Sequence, residues 1–156
     1  MYNIRMLKTT PLGSFTEKAQ RFAFGLRSRT DTATIVTLSG ELGAGKTTFA
    51  QGIAKALGVE EIVASPTFVI EKIYQLQGQK WEKLVHIDAY RLKSGHELEV
   101  LGWKELIADP GNLVVLEWPE RVAELIPEDA TRIRFEIVGD ERIITINGEE
   151  ENNKNS

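Results

Sequence analysis

Hydrophobic positions along the chain fall into short blocks whose period changes. Ser14-Phe15-Thr16-Glu17 has the spacing of a capping box, and Phe15, Ala19, Phe22, Ala23 and Leu26 recur at helical intervals, so a helix is predicted over 15–27. Residues 32–38 are short and rich in β-branched side chains, which predicts a strand. Residues 39–45 then bring three glycines before a run of good helix formers over 46–57, which Gly58 stops. Further strands are predicted at 67–75, 83–89, 112–117, 131–138 and 142–147, and Gln77-Gly78 and Gly139-Asp140 have the composition of hairpin turns. Residues 94–107 and 119–125 read as short helices, Pro119 being tolerated in a first turn. Hairpins and helices alternating in this way predict an α/β domain with a mixed parallel/antiparallel central sheet. No repeat and no Gly-, Pro- or Ser-rich linker divides the chain, so residues 1–148 are expected to form a single domain and 149–156 a disordered acidic and polar tail.

The glycine-rich segment changes the picture most. Gly40-Glu41-Leu42-Gly43-Ala44-Gly45-Lys46-Thr47 fits the G-x-x-x-x-G-K-[ST] phosphate-binding pattern in full, and it lies between a predicted strand and a predicted helix, where the mechanism needs it. Glycines let the backbone wrap with its N–H groups inward, and the free amides and positive dipole end of the next helix attract an anion. Lys46 would reach the β and γ phosphates as a point charge, the Thr47 hydroxyl would ligate a bridging Mg²⁺, and Thr48 would add an α-phosphate contact. The bland alternative is a glycine-rich turn that caps a helix. Four constrained positions arise by accident in a chain of this length with a chance on the order of 1% or less. The domain is therefore expected to be P-loop NTPase-like and three-layered, with ATP or ADP and Mg²⁺ as cofactors.

A magnesium nucleotide site needs an acid at the end of a neighbouring strand, and two strands finish that way: Leu84-Val85-His86-Ile87-Asp88 and Leu113-Val114-Val115-Leu116-Glu117. Either acid fits the role. Side chains alternate along a strand, so His86, Asp88 and Tyr90 share one face and Val85, Ile87 and Ala89 the other. Equally, Asp88 could cap the next turn with His86 a half-buried strand residue. Trp118 on its own reads as core. Ser65-Pro66-Thr67 is a stiff hydroxyl-bearing segment where a nucleotide sensor could sit, or an ordinary turn.

Composition removes competing chemistries. There is no cysteine, hence no disulfide, thiolate zinc site or cysteine nucleophile, and His86 and His96 are the only histidines. Apolar runs stop at about four residues, far short of the roughly 20 that cross a bilayer, and no apolar stretch follows Arg5 and Lys8 as in a signal peptide. A cytoplasmic protein without a membrane partner is expected. The formal net charge of −4 offers no basic excess for a large nucleic-acid surface.

Taken together, these residues resemble the TsaE family, the small P-loop ATPases of bacterial tRNA threonylcarbamoyladenosine (t6A) synthesis. The resemblance rests on Gly40 to Thr48, Ser65-Pro66-Thr67-Phe68, His86-Ile87-Asp88-Ala89-Tyr90-Arg91, Glu97-Leu98-Glu99 with Leu101-Gly102, and Leu116-Glu117-Trp118, in that order. It implies that Thr47 and Glu117 hold Mg²⁺ and that Glu41, Leu42, Gly43, Ala44, Gly45, Lys46, Thr47, Thr48 and Trp118 surround the nucleotide. It further implies that Asp88 positions or activates the attacking water, with Lys46 and Thr67 also serving catalysis, Thr67 as part of a switch-like loop near the γ-phosphate. The implied partners are TsaD and TsaB, which build the threonylcarbamoyl group onto tRNA while ATP hydrolysis resets or licenses their cycle, so tRNA is met indirectly through the complex. The alternative is a small-molecule P-loop kinase, which would need an acceptor pocket and an arginine-bearing lid that the sequence does not display. A GTP switch lacks its N-K-x-D and D-x-x-G elements, and no G-x-S-x-G serine elbow occurs.

Overall fold

In the computed structural model the described residues are 3–9, 13–60 and 70–148. Their strands form one seven-stranded sheet in the order β1-β7-β6-β2-β5-β4-β3. The strands are β1 (Asn3–Thr9), β2 (Thr34–Gly40), β3 (Glu71–Gln75), β4 (Lys83–Asp88), β5 (Asn112–Glu117), β6 (Thr131–Val138) and β7 (Glu141–Gly148). The inner pairs β6–β2, β2–β5 and β5–β4 are parallel, and antiparallel pairs flank them on both sides. The mixed sheet expected from the hairpin signals is therefore present, with Gly139-Asp140 turning β6 back onto β7.

Helices α1 (Gly13–Gly25) and α2 (Lys46–Ala56) cover one face of the sheet. The helical spacing of α1 buries Phe15, Ala19 and Phe22 against Phe49 and Ile53 of α2 and against Leu38 and Phe135 of the sheet. On the opposite face Ile35, Val85, Ile87, Val114 and Leu116 meet Leu98 of α3 (Gly95–Val100) and Trp103 of α4 (Trp103–Ala108). Three layers result. β5 is buried along its whole length, as a strand covered on both faces must be, which is why it reads as an unbroken apolar run before Glu117.

Four elements depart from the sequence expectations. The helix expected over 94–107 is two helices, because Gly102 adopts φ 88 and the chain cannot continue α-helically through it. Residues 119–125 form a kinked 3-10 helix, with Val122 at φ −137. Strand β1 was not anticipated; its register is supplied by β7, from Asn3 opposite Gly148 to Thr9 opposite Arg142. Helix α1 also begins two residues earlier than the capping-box spacing implies. Residues 67–69 of the expected strand over 67–75, and the tail 149–156, lie outside the described residues. Among the described residues no helix is long and apolar enough to cross a membrane.

Candidate functional site

The carboxyl ends of the parallel strands carry the site. β2 runs out at Gly40, residues 41–45 form the loop, and α2 starts at Lys46. Gly45 precedes the helix in a left-handed conformation, φ 108, and a Cβ on it would lie 1.9 Å from the Phe15 ring, so glycine is required twice over: by conformation and by space. Among the described residues no side chain caps α2, and no acidic residue sits in its first turn. The four leading amides of any helix lack intrahelical acceptors, so this end presents donors and a positive dipole without a neutralising carboxylate of its own.

Lys46 is buried, only 5% exposed. Its Nζ donates to the carbonyls of Gly40 and Glu41, the latter at 3.0 Å, and stands 3.8 Å from the centre of the Trp118 ring. Burial pulls its pKa below the ordinary value of 10.5, against the opposing pull of Glu117, Glu120, Asp88 and Glu41. The loop lysine is thus the hub of an acidic surround, held by carbonyls and an aromatic face.

The register of β4 against β5 sets the acids side by side: Asp88 pairs with Glu117 and His86 with Val115. Glu117 is 2% exposed. Its Oε1 accepts from Thr47 Oγ1 at 3.3 Å, and its Oε2 lies 2.7 Å from His86 Nε2. His86 is likewise buried, and its Nδ1 meets no hydrogen-bond partner among the described residues. Asp88 is half-buried at the strand end, and its Oδ1 accepts the Tyr90 amide at 3.0 Å, so the turn-capping role is present together with its charge on Lys46. Trp118 follows Glu117 with φ 61, a left-handed backbone unusual for a bulky residue, and its amide donates to Leu38 O at 3.1 Å. That turn brings its ring over Lys46 and against Tyr90, centroids 4.9 Å apart.

A hydroxyl and a carboxylate oxygen 3.3 Å apart at the mouth of an anion-attracting helix are hard oxygen donors of the kind Mg²⁺ takes. Among the described residues no group of three or more His, Asp or Glu gathers into an all-protein metal cage. Mg²⁺ in phosphate sites needs none, since phosphate and water complete its shell.

Of the residues singled out from the sequence, Glu41 to Thr48, Asp88, Glu117 and Trp118 come together around one loop, Thr48 within the first turn of α2. Thr67, with Ser65 and Pro66, lies outside the described residues. Three participants were not assigned from sequence: His86 as partner of Glu117, Tyr90 as support for Trp118, and Glu120 as a further charge on Lys46. The alternation on β4 put His86 and Asp88 on one face, but the meeting with Glu117 depends on pairing register, which no local pattern carries.

The family model described as "Threonylcarbamoyl adenosine biosynthesis protein TsaE" matches residues 14–144. Three relatives named tRNA threonylcarbamoyladenosine biosynthesis protein TsaE are similar over most of their length. The Streptomyces coelicolor protein is 43% identical over 120 residues, 73% of this chain and 79% of the relative. The Bacillus subtilis protein is 41% identical over 112 residues, 71% and 67% respectively. The Borreliella burgdorferi protein is 36% identical over 115 residues, 73% and 81%. Among solved structures, Bacillus subtilis YdiB superimposes with a TM-score of 0.73 at 30% identity, covering 95% of this chain and 87% of YdiB.

Proposed function

The chain belongs to the TsaE family of threonylcarbamoyl adenosine biosynthesis proteins, and from that premise we propose that it is a Mg²⁺-dependent ATPase acting as an accessory subunit of the bacterial t6A machinery. One observation carries the reading: the uncapped start of α2, with Lys46 at its first position, opens beside the Thr47–Glu117 oxygen pair. The loop amides and Lys46 bind the triphosphate, Lys46 exchanging the Gly40 and Glu41 carbonyls for phosphate oxygens. Thr47 and Glu117 hold Mg²⁺, which when bound neutralises charge on the β and γ phosphates. Asp88 accepts a hydrogen bond from the attacking water and orients it for in-line displacement. Trp118 closes one side of the loop and keeps Lys46 out of bulk water.

The partners in this reading are TsaD and TsaB, with tRNA reached through them in the cytoplasm. Phosphate release from ATP and Mg²⁺, measured with and without TsaB, TsaD and substrate tRNA, tests it. Slow release alone that rises in the assembled complex is expected; no release in either state overturns the ATPase assignment. ATP consumption matched by stoichiometric phosphorylation of a small acceptor would make the protein a kinase instead.

A further inference from the structure

Glu117 is longer by one methylene than the aspartate more usual at this position in P-loop enzymes, so it has one more torsion to fix before its carboxylate can serve a cation. The structure contains a means of fixing it. Both oxygens are engaged, Oε1 by the Thr47 hydroxyl at 3.3 Å and Oε2 by His86 Nε2 at 2.7 Å. A carboxylate can only accept, so the imidazole N–H donates.

His86 itself gains little from its position. It is 1% exposed on a strand between apolar neighbours, and its second ring nitrogen is buried with no partner among the described residues. Burying a polar ring with one nitrogen unsatisfied is costly, and an apolar side chain of similar volume would pack there at lower cost. Among the described residues, the one polar contact of the ring is with Glu117.

We propose that His86 is a positioning residue: it anchors Oε2 of Glu117 so that Oε1 stays beside Thr47, presenting the two oxygens to Mg²⁺ in a preset geometry. This rests on the reading that Glu117 and Thr47 are the metal ligands. Partners of this kind behind a metal ligand are commonly worth about 10- to 100-fold in metal affinity.

The test separates metal coupling from stability. ADP binding is measured calorimetrically with Mg²⁺ and again with EDTA, for the wild type, His86→Leu, His86→Gln and Glu117→Ala, alongside thermal unfolding of each. The Mg²⁺-dependent gain in ADP affinity is expected to fall about tenfold or more in His86→Leu, with metal-free affinity unchanged, and to recover in His86→Gln, whose amide places a donor near the position of Nε2. If His86→Leu keeps the wild-type gain, or loses metal-bound and metal-free affinity equally, the ring is a structural prop and the proposal fails. Glu117→Ala distinguishes the two levels. Loss of the gain there but not in His86→Leu refutes the role of His86 alone, whereas an intact gain in Glu117→Ala refutes the ligand assignment and the proposal with it. Should leucine prevent folding, His86→Asn, whose shorter amide stops short of Oε2, gives the same readout.

Discussion

Gly45→Ala probes the junction on which the site depends. The position has φ 108 and ψ 11, and placing an L-residue in a left-handed conformation costs about 1–2 kcal/mol. The added methyl would also lie 1.9 Å from Cε2 and 2.5 Å from Cδ2 of Phe15. That ring cannot retreat freely: it is fully buried and meets Phe135 edge-on at 5.9 Å, and Phe135 in turn meets Phe49 at 5.4 Å. Overpacking of this kind adds about 1–3 kcal/mol, so the total expected loss is about 2–5 kcal/mol, a large part of a typical domain's stability. Urea unfolding reads it as a lowered midpoint at unchanged slope. Gly43→Ala is the control, since it sits at φ 80 with none of the described residues within 4 Å of an added methyl and should lose only the backbone part. Combining Gly45→Ala with Phe15→Ala should recover about 1–3 kcal/mol of the sum of the single losses. If Gly45→Ala costs no more than Gly43→Ala, or if the two sites are additive, the contact between loop and α1 is not what holds the helix start.

Lys46→Ala should weaken ADP binding by about 3 kcal/mol, over a hundredfold in Kd, by calorimetry. Asp88→Asn keeps an acceptor for the Tyr90 amide but removes the charge, so ADP affinity should hold while phosphate release in the assembled complex falls by about a hundredfold or more; normal release would remove Asp88 from the mechanism. Lys46 has a lowered pKa in the free protein, and phosphate beside it favours the ammonium form, so binding takes up a proton wherever the free lysine is partly neutral. ADP affinity should therefore decline with rising pH from below 10.5, with proton uptake visible as a dependence of binding heat on buffer ionisation enthalpy. A flat profile up to that pH would contradict the burial argument.

How much of this could be read in advance depended on how local each feature is. The loop from Gly40 to Thr47 was legible because its glycines, lysine and hydroxyl act through backbone geometry within eight consecutive positions. The sheet's mixed character was legible from hairpin turns such as Gly139-Asp140. Strand β1 was not, because a short edge strand depends on a partner at the other end of the chain, β7. The break at Gly102 was hidden by a helical pattern on both sides of it. At the site, strand-end position nominated both Asp88 and Glu117, but only the parallel register between β4 and β5 brings His86 to Glu117. Trp118 on its own read as core and was placed at the nucleotide only by the family resemblance; its left-handed backbone, which sets the ring over Lys46, is a constraint that no local pattern announces.

In this reading the start of α2 and the Thr47–Glu117 pair receive a magnesium polyphosphate. Calorimetric titration of the folded protein with MgADP and MgATP decides whether they do: saturable one-to-one binding that weakens when Mg²⁺ is withdrawn, and falls by about a hundredfold or more in Lys46→Ala, is the predicted result. A well-folded protein that takes up neither nucleotide, or that binds them equally after Lys46→Ala, would contradict it.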